Sequence, residues 1–375
     1  MNQIMDQKSN LIDQKTYFIK VDNEKKGVNL EYIEEIFRTN PNWRMVTEEE
    51  AKKLKHVDFS YIIGKFDNSF TADISYRFNT YHRKYLTNKS NLYKTIQREE
   101  PENYKRFMVY HTDIDIYNLD KYKHLFTGNK TFILRPTWSF ERANIELFDN
   151  FDKFKNFINK NGKHLLYKGN KKEPGGDNRL VLSEYMKDLL LFNNRVFDLR
   201  VYLVISLVNG VYRAYFVKPI IMNLSLYERS KSFNIDNVRE NITNPGNDDD
   251  YFFTDLQEQI GKEKGKYIIN QIKQNLTYLF KLIKKFKIMR GYPDQKNIYE
   301  LFGLDFIVDN NYNVKLVEFN EKTGLGDYED FQLENIASSF IYSTVNKLYP
   351  DEYKLKIDDR EYNDILRVKS NKNYL

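Results

Sequence analysis

Glu300-Leu301-Phe302-Gly303-Leu304-Asp305-Phe306-Ile307-Val308, followed by Lys315-Leu316-Val317-Glu318-Phe319-Asn320, is the stretch on which the fold turns. The polar segment Asn310-Asn311-Tyr312-Asn313 joins the two apolar runs and predicts an antiparallel hairpin. With Asp309 facing Val314 across the turn, Asp305 lies directly opposite Glu318, and Gly303 opposite Asn320. Glu318 and Asn320 are two apart, so they share a strand face. Three oxygen-bearing side chains then converge on one face, with a glycine leaving room above Asn320. Mg²⁺ takes hard oxygen ligands, usually one or two carboxylates plus substrate phosphates. Such a hairpin can floor a nucleotide–metal site. The bland alternative is the solvated face of a half-buried sheet. Against it, Phe306-Ile307-Val308 and Leu316-Val317 are apolar on both parities. That pattern predicts a sheet covered on both sides, where unpaired carboxylates are costly.

Working outward from the hairpin, Asp255 to Met289 predicts a long amphipathic helix with a break near Gly265, and a further helix is expected from about Phe331 to Leu348. The Lys284-Lys285-Phe286-Lys287 cluster reads as a solvated face, with docking on an acidic surface as the alternative. Val196 to Val208, Asn209-Gly210 and Val211 to Met222 form a second hairpin, since Asn-Gly between apolar runs is a strong turn signal. Thr131 to Pro136 and Leu180 to Met186 read as strands around a helix from Phe151 to Asn161 and a polar loop from Lys168 to Asn178. Nearer the start, Thr47 caps a helix with Glu50 at capping-box spacing, and Asn88 caps a helix running to Arg98. Residues after Lys356 read as a tail.

A chain of 375 residues predicts about two to three domains. Its 59 Lys and Arg against 53 Asp and Glu give a net charge of +6, spread along the chain. That balance favours an acidic partner weakly and does not argue for nucleic acid. There is no cysteine, which excludes disulfides, thiolate metal sites and a Cys nucleophile. Met1 to Lys15 is polar and lacks an apolar signal-peptide core, and no apolar run approaches the ~20 residues of a membrane span. The expectation is a cytoplasmic monomer without membrane or nucleic-acid partners.

The order of these features resembles the tubulin–tyrosine ligase-like family of ATP-grasp ligases. The likeness rests on Asn79 to Gln97 with Arg83, Lys84, Lys89 and Leu92, on Phe132 to Ile145, and on Val181 to Arg200 with its Phe197-Asp198-Leu199-Arg200. It continues in Asn241-Ile242-Thr243-Asn244, similar to the family's His-Leu-Thr-Asn, and in Leu301 to Asn320. It covers residues 75–345. The resemblance implies an α/β ATP-grasp fold: an N-terminal α/β domain over residues 1–125, a central lid over 126–192, and a C-terminal mixed sheet with helices over 193–356 that carries the metal and nucleotide. Residues 357–375 would be the tail.

The resemblance further implies that ATP and Mg²⁺ are used to join an amino acid to a protein acceptor through an acyl phosphate. The acceptor would be tubulin or another acidic-tailed protein. Asp305, Glu318 and Asn320 would hold Mg²⁺, Arg200 the transferring phosphoryl, and Asp198 the order of the nucleotide site. Lys89 and Arg135 would contact phosphates or substrate. Glu184, Tyr185 and Met186 would form the adenine hinge, and Asn244 would line the acceptor pocket.

Departures from the family pattern are specific. Arg135 replaces the family's phosphate lysine, Arg142-Ala143-Asn144 replaces a Gly-x-Gly loop, and Val196 replaces a lysine. Lost glycines should reshape a phosphate cradle. Lys218 is a candidate for the basic residue of the return strand, but only with a bulge near Pro219. These losses keep a second function open, a non-catalytic, partner-binding ATP-grasp relative; a third reading is an ATP-grasp ligase acting on small molecules or peptides.

Overall fold

The computed structural model describes residues 14–21, 30–63, 69–77, 84–137, 144–172, 179–230, 233–243, 251–288, 297–320, 338, 341, 344–355 and 366–367. Its strands are β1 (Lys15–Val21), β2 (Trp43–Met45), β3 (His56–Ile63), β4 (Thr71–Arg77), β5 (His111–Asp113), β6 (Thr131–Pro136), β7 (Glu146–Phe148), β8 (Leu180–Tyr185), β9 (Leu191–Phe192), β10 (Arg195–Val208), β11 (Val211–Leu224), β12 (Tyr251–Phe252), β13 (Asn297–Val308), β14 (Val314–Asn320) and β15 (Leu366–Arg367). Among the described residues they build one large sheet, ordered β12-β11-β10-β13-β4-β3-β1-β2 with β14 on β13, β9 on β10 and β15 on β11, and a small sheet ordered β5-β8-β6-β7.

The large sheet is mixed. Strands β1 to β4 pair parallel, and β4 joins β13 in parallel too. Strands β10, β11, β13 and β14 pair antiparallel. Both faces are covered, as the apolar runs on both parities predict. Phe197, Leu199, Val201, Leu203, Phe302, Leu304 and Phe306 bury one face against Leu256, Ile268, Ile272, Leu276 and Phe280 of the helices Phe253–Ile260 and Lys262–Lys285. Tyr202, Val204, Tyr299 and Leu301 bury the other against Ile33, Phe37, Ile341 and Val345. Each of these aromatic or aliphatic burials contributes ~1.5–3 kcal/mol.

Several expected elements form with altered bounds. The break in the long helix falls at Gly261, not near Gly265. Gly261 adopts φ 91° and ψ 153°, a conformation open almost only to glycine. Gly265 lies inside the second helix, where a Cβ would come within 2.7 Å of Gln257 Cγ, so its role is close packing. The helix starting at Phe151 runs on to Lys172, absorbing the first part of the expected polar loop, while residues 173–178 lie outside the described residues. Of the helix expected from Phe331, the described part includes Val345–Leu348. Lys284, Lys285 and Lys287 are exposed, and Lys285 pairs with Glu99.

The capping predictions hold. Thr47 and Glu50 form a reciprocal capping box, and Asn88 accepts from the backbone N–H groups of Ser90 and Asn91. The Asn209-Gly210 turn has φ 51° and 73°, the pair of positive values a two-residue hairpin turn needs.

Candidate functional site

The hairpin delivers the pairing read from its sequence: Asp305 faces Glu318, and Gly303 faces Asn320. The turn does not. Val308, not Asp309, faces Val314, and the register shifts by one between Asp305 and Phe306. Asp309 is drawn into the turn, where its carboxylate accepts from the N–H groups of Asn311 and Asn313 and from the Asn313 amide. Val317 is the extra residue of the resulting bulge, and it restores the pairing beyond it. The core confirms the shift, because Val314, Leu316 and Phe319 all reach the same apolar cluster.

Strand β10 lies on the other side of β13, with Arg200 facing Asp305 and Tyr202 facing Gly303. Two rows therefore cross three strands: Arg200–Asp305–Glu318 and Tyr202–Gly303–Asn320. Register alone brings Arg200 to Asp305. The guanidinium grips it through two N–H donors, Nε to Oδ1 and Nη2 to Oδ2 at 3.1 Å. Asn320 Nδ2 donates to the same Oδ2 at 3.2 Å. Lys89, the first residue of the helix Lys89–Glu99, places Nζ 2.9 Å from Glu318 Oε1. The row thus reads cation, acid, acid, cation, with both acids largely withdrawn from water.

Burial holds the Asp305 carboxyl above the usual carboxylate range, with Glu318 adding to the effect against the pull of Arg200. At Glu318 burial pushes up, but Lys89, Arg135 and Arg200 together outweigh it and hold the carboxyl low. Asp198 also accepts hydrogen bonds, from Asn223 Nδ2 at 2.6 Å and from the Thr243 hydroxyl. Burial first, then the charge of Asp305, pushes its pKa up to about 6. Asp198 and Arg200 share a face, and the guanidinium is held by Asp305.

On the small sheet, Arg135 is 8% exposed and donates Nη2 to Ser183 Oγ at 3.3 Å. The charges that act on it belong to Glu318 and Asp305. The three residues expected at an adenine hinge lie at and just beyond the end of β8. Glu184 donates its N–H to the Tyr110 carbonyl, and its carboxylate accepts from Lys130. Tyr185 donates its hydroxyl to the Asn241 carbonyl at 2.8 Å, and burial pushes its pKa up to about 12. Met186 is half-buried just beyond the strand.

Asn244, Arg142 and Ala143 lie outside the described residues, as does the side chain of Lys218. The β10–β11 register does shift beside Pro219, between Arg200 and Tyr202, but by two residues, which leaves the alternation of β11 on either side unchanged. That shift explains why Asn223, absent from the sequence reading, faces Asp198. Asn144 takes φ 63°, the left-handed conformation a glycine would supply there. Asn tolerates that region better than other residues with a side chain.

Among the described residues no three His, Cys, Asp or Glu side chains gather as metal ligands do. Two carboxylates and an amide nonetheless suit Mg²⁺, which takes few protein oxygens and completes its shell with phosphates and water. The cations Lys89, Arg135 and Arg200 around those acids suit a phosphate-bearing ligand.

Solved structures identify the architecture. The C-terminal domain from K. lactis Pby1, described as an ATP-grasp enzyme interacting with the mRNA decapping enzyme Dcp2, superposes with a TM-score of 0.62 over 96% of this chain and 100% of that one, at 16% identity. The fold is therefore that of the ATP-grasp proteins. No curated protein matches the chain in sequence. The model of the tubulin-tyrosine ligase family matches residues 70–355, and the chain belongs to that family. Its membership makes it a relative of ATP-dependent ligases. Among the described residues no helix is long and apolar enough to cross a membrane.

Proposed function

We propose that this protein is an ATP- and Mg²⁺-dependent carboxylate–amine ligase that adds an amino acid to a protein acceptor, at a C-terminus or a glutamate side chain. The supporting observation is the row Arg200–Asp305–Glu318 closed by Lys89, with Asn320 beside it and Arg135 above. In such a reaction the γ-phosphoryl passes to a carboxylate oxygen. The amine then attacks the acyl carbon, inorganic phosphate leaves, and an amide remains. Positioning and charge neutralisation dominate the barrier.

Asp305, Glu318 and Asn320 would hold Mg²⁺, which would supply charge neutralisation to the phosphates. Lys89 and Arg200 are engaged by Glu318 and Asp305, so nucleotide would exchange those ion pairs for phosphate contacts. Arg200 would then face the transferring phosphoryl, and Arg135 would meet the remaining phosphate oxygens. Asp198, fixed by Asn223 and Thr243, would keep β10 and the 241–243 segment in register beside them. Glu184, Tyr185 and Met186 would border the adenine, and Asn244 the acceptor. The acceptor would be an acidic protein segment, in keeping with the chain's net positive charge, in the cytoplasm.

Replacing Glu318 by Gln should abolish MgATP-dependent incorporation of amino acid into acceptor peptides, with the fold retained. Unchanged incorporation would refute the assignment. The second reading, a non-catalytic partner-binding relative, draws support from Val196, which is buried and brings no charge where the family has a lysine. It predicts partner binding that survives Asp305→Asn and no nucleotide turnover.

A further inference from the structure

The small sheet has two unlike faces. Phe132, Leu134, Leu180 and Leu182 pack with Phe151, Phe154 and Ile158 of the helix Phe151–Lys172. By strand alternation, Ile133, Arg135, Val181, Ser183 and His111 point the other way. His111 lies directly opposite Ser183 in the β5–β8 pair. His111 Nδ1 is hydrogen-bonded to Ser183 Oγ, the same oxygen that accepts from Arg135 Nη2 at 3.3 Å. His111 and Ser183 are 2% and 1% exposed. Arg135 Nε is buried and has no hydrogen-bond partner.

The donor inventory favours one arrangement. A guanidinium only donates, so Ser183 Oγ accepts from Arg135. The Ser183 hydroxyl proton is then free to go to His111 Nδ1, which leaves the imidazole proton on Nε2. Burial first, and the nearby Arg135 charge second, lower the His111 pKa well below the usual value, so the ring is neutral and can accept. A lysine in place of Arg135 would turn its ammonium freely. A planar fork must be aimed.

We infer that His111 and Ser183 are positioning residues that aim Arg135 at the nucleotide phosphates. Neutral His111 orients the Ser183 hydroxyl, Ser183 holds the guanidinium at Nη2, and the unpartnered Nε–H is left for an anionic oxygen. This inference rests on the nucleotide reading given above. It also accounts for a chain that uses Arg where its family has Lys: the two buried polar partners of the small sheet supply the orientation that Arg needs.

The test is calorimetric titration of MgATP and of adenosine into the wild type, Ser183→Ala, His111→Phe and His111→Asn, together with ¹⁵N NMR of the wild-type imidazole. Ser183→Ala and His111→Phe should weaken MgATP about tenfold and leave adenosine unchanged. His111→Asn keeps an acceptor near the Nδ1 position and should stay close to wild type. The spectrum should show the proton on Nε2 at neutral pH. Wild-type MgATP affinity in Ser183→Ala would overturn the inference. So would equal losses for adenosine and MgATP, or a proton on Nδ1. Should His111→Phe not fold, Ser183→Ala and the spectrum decide. A wild type that binds no MgATP would refute the nucleotide reading itself, and this inference with it.

Discussion

At the scale of single residues, the site is a balance between buried acids and the cations beside them. Asp198 shows the cost most clearly, because its partners Asn223 and Thr243 are neutral and cannot offset the loss of water around a charge. Its folded pKa of about 6 lies above the unfolded value of about 3.9. Between those two values the native state binds more protons than the unfolded state. Asp198 therefore lowers stability as pH rises through that window, and the penalty is constant above it. Asp198→Asn should be more stable than wild type at pH 7.5 by ~3 kcal/mol at most and equal to it near pH 4, by denaturant unfolding at both pH values. The repulsion between Asp198 and Asp305 is part of that penalty and is relieved with it in the variant. The grouping of Asp305, Glu318 and Asn320 was legible in the sequence because strand parity is a local property: residues two apart share a face whatever the rest of the chain does. His111 and Ser183 were not legible. They meet only through the order β5-β8-β6, which no local pattern announces, and Asn223 meets Asp198 only because of a bulge.

Elements were read well where a single residue dictates geometry. Asn88, Thr47 with Glu50, and Asn209-Gly210 each act through one local hydrogen bond or dihedral, and each stands where the sequence put it. Errors came from choosing between neighbouring glycines and from bulges. Gly261 breaks the helix by its backbone conformation, whereas Gly265 serves packing, and the sequence marks both only as Gly. The Val317 bulge did leave a trace. Leu316 and Phe319 are an odd number apart yet both apolar, which a regular strand cannot place on one face. At Asn144, where the resemblance puts a glycine, the backbone keeps a left-handed conformation, so that single replacement is mild. Asn144→Gly should leave stability within a few tenths of a kcal/mol. Asn144→Val should cost ~1–2 kcal/mol and weaken nucleotide binding, since a β-branched side chain opposes positive φ. Thermal unfolding and MgATP titration of the two variants check this.

Over the whole molecule, the large sheet makes one continuous surface from the parallel N-terminal strands to the antiparallel site strands. The same face of β10 and β13 carries Asp198, Arg200 and Asp305 at one end and the apolar Tyr202, Val204, Tyr299 and Leu301 at the other. The chain's later residues fasten that apolar end. Trp43 Nε1 donates to the Tyr353 carbonyl at 2.8 Å, Asn42 Nδ2 to the Glu352 carbonyl at 2.7 Å, and the Tyr349 ring meets Trp43 edge-on at 5.3 Å. Trp43→Ala should cost ~3–5 kcal/mol and open both the Trp43 and the Tyr353 regions to limited proteolysis together. Such long-range closure was invisible in the sequence, where these segments look like unrelated aromatic patches. The proposed function stands on MgATP binding at the two rows across β10, β13 and β14. Calorimetry with ATP, with and without Mg²⁺, on the wild type and on a variant combining Glu318→Gln with Asn320→Ala decides it. Wild-type binding should require Mg²⁺ and be lost in the double variant. A well-folded wild type that binds no ATP, or a double variant that binds it equally well, would contradict it.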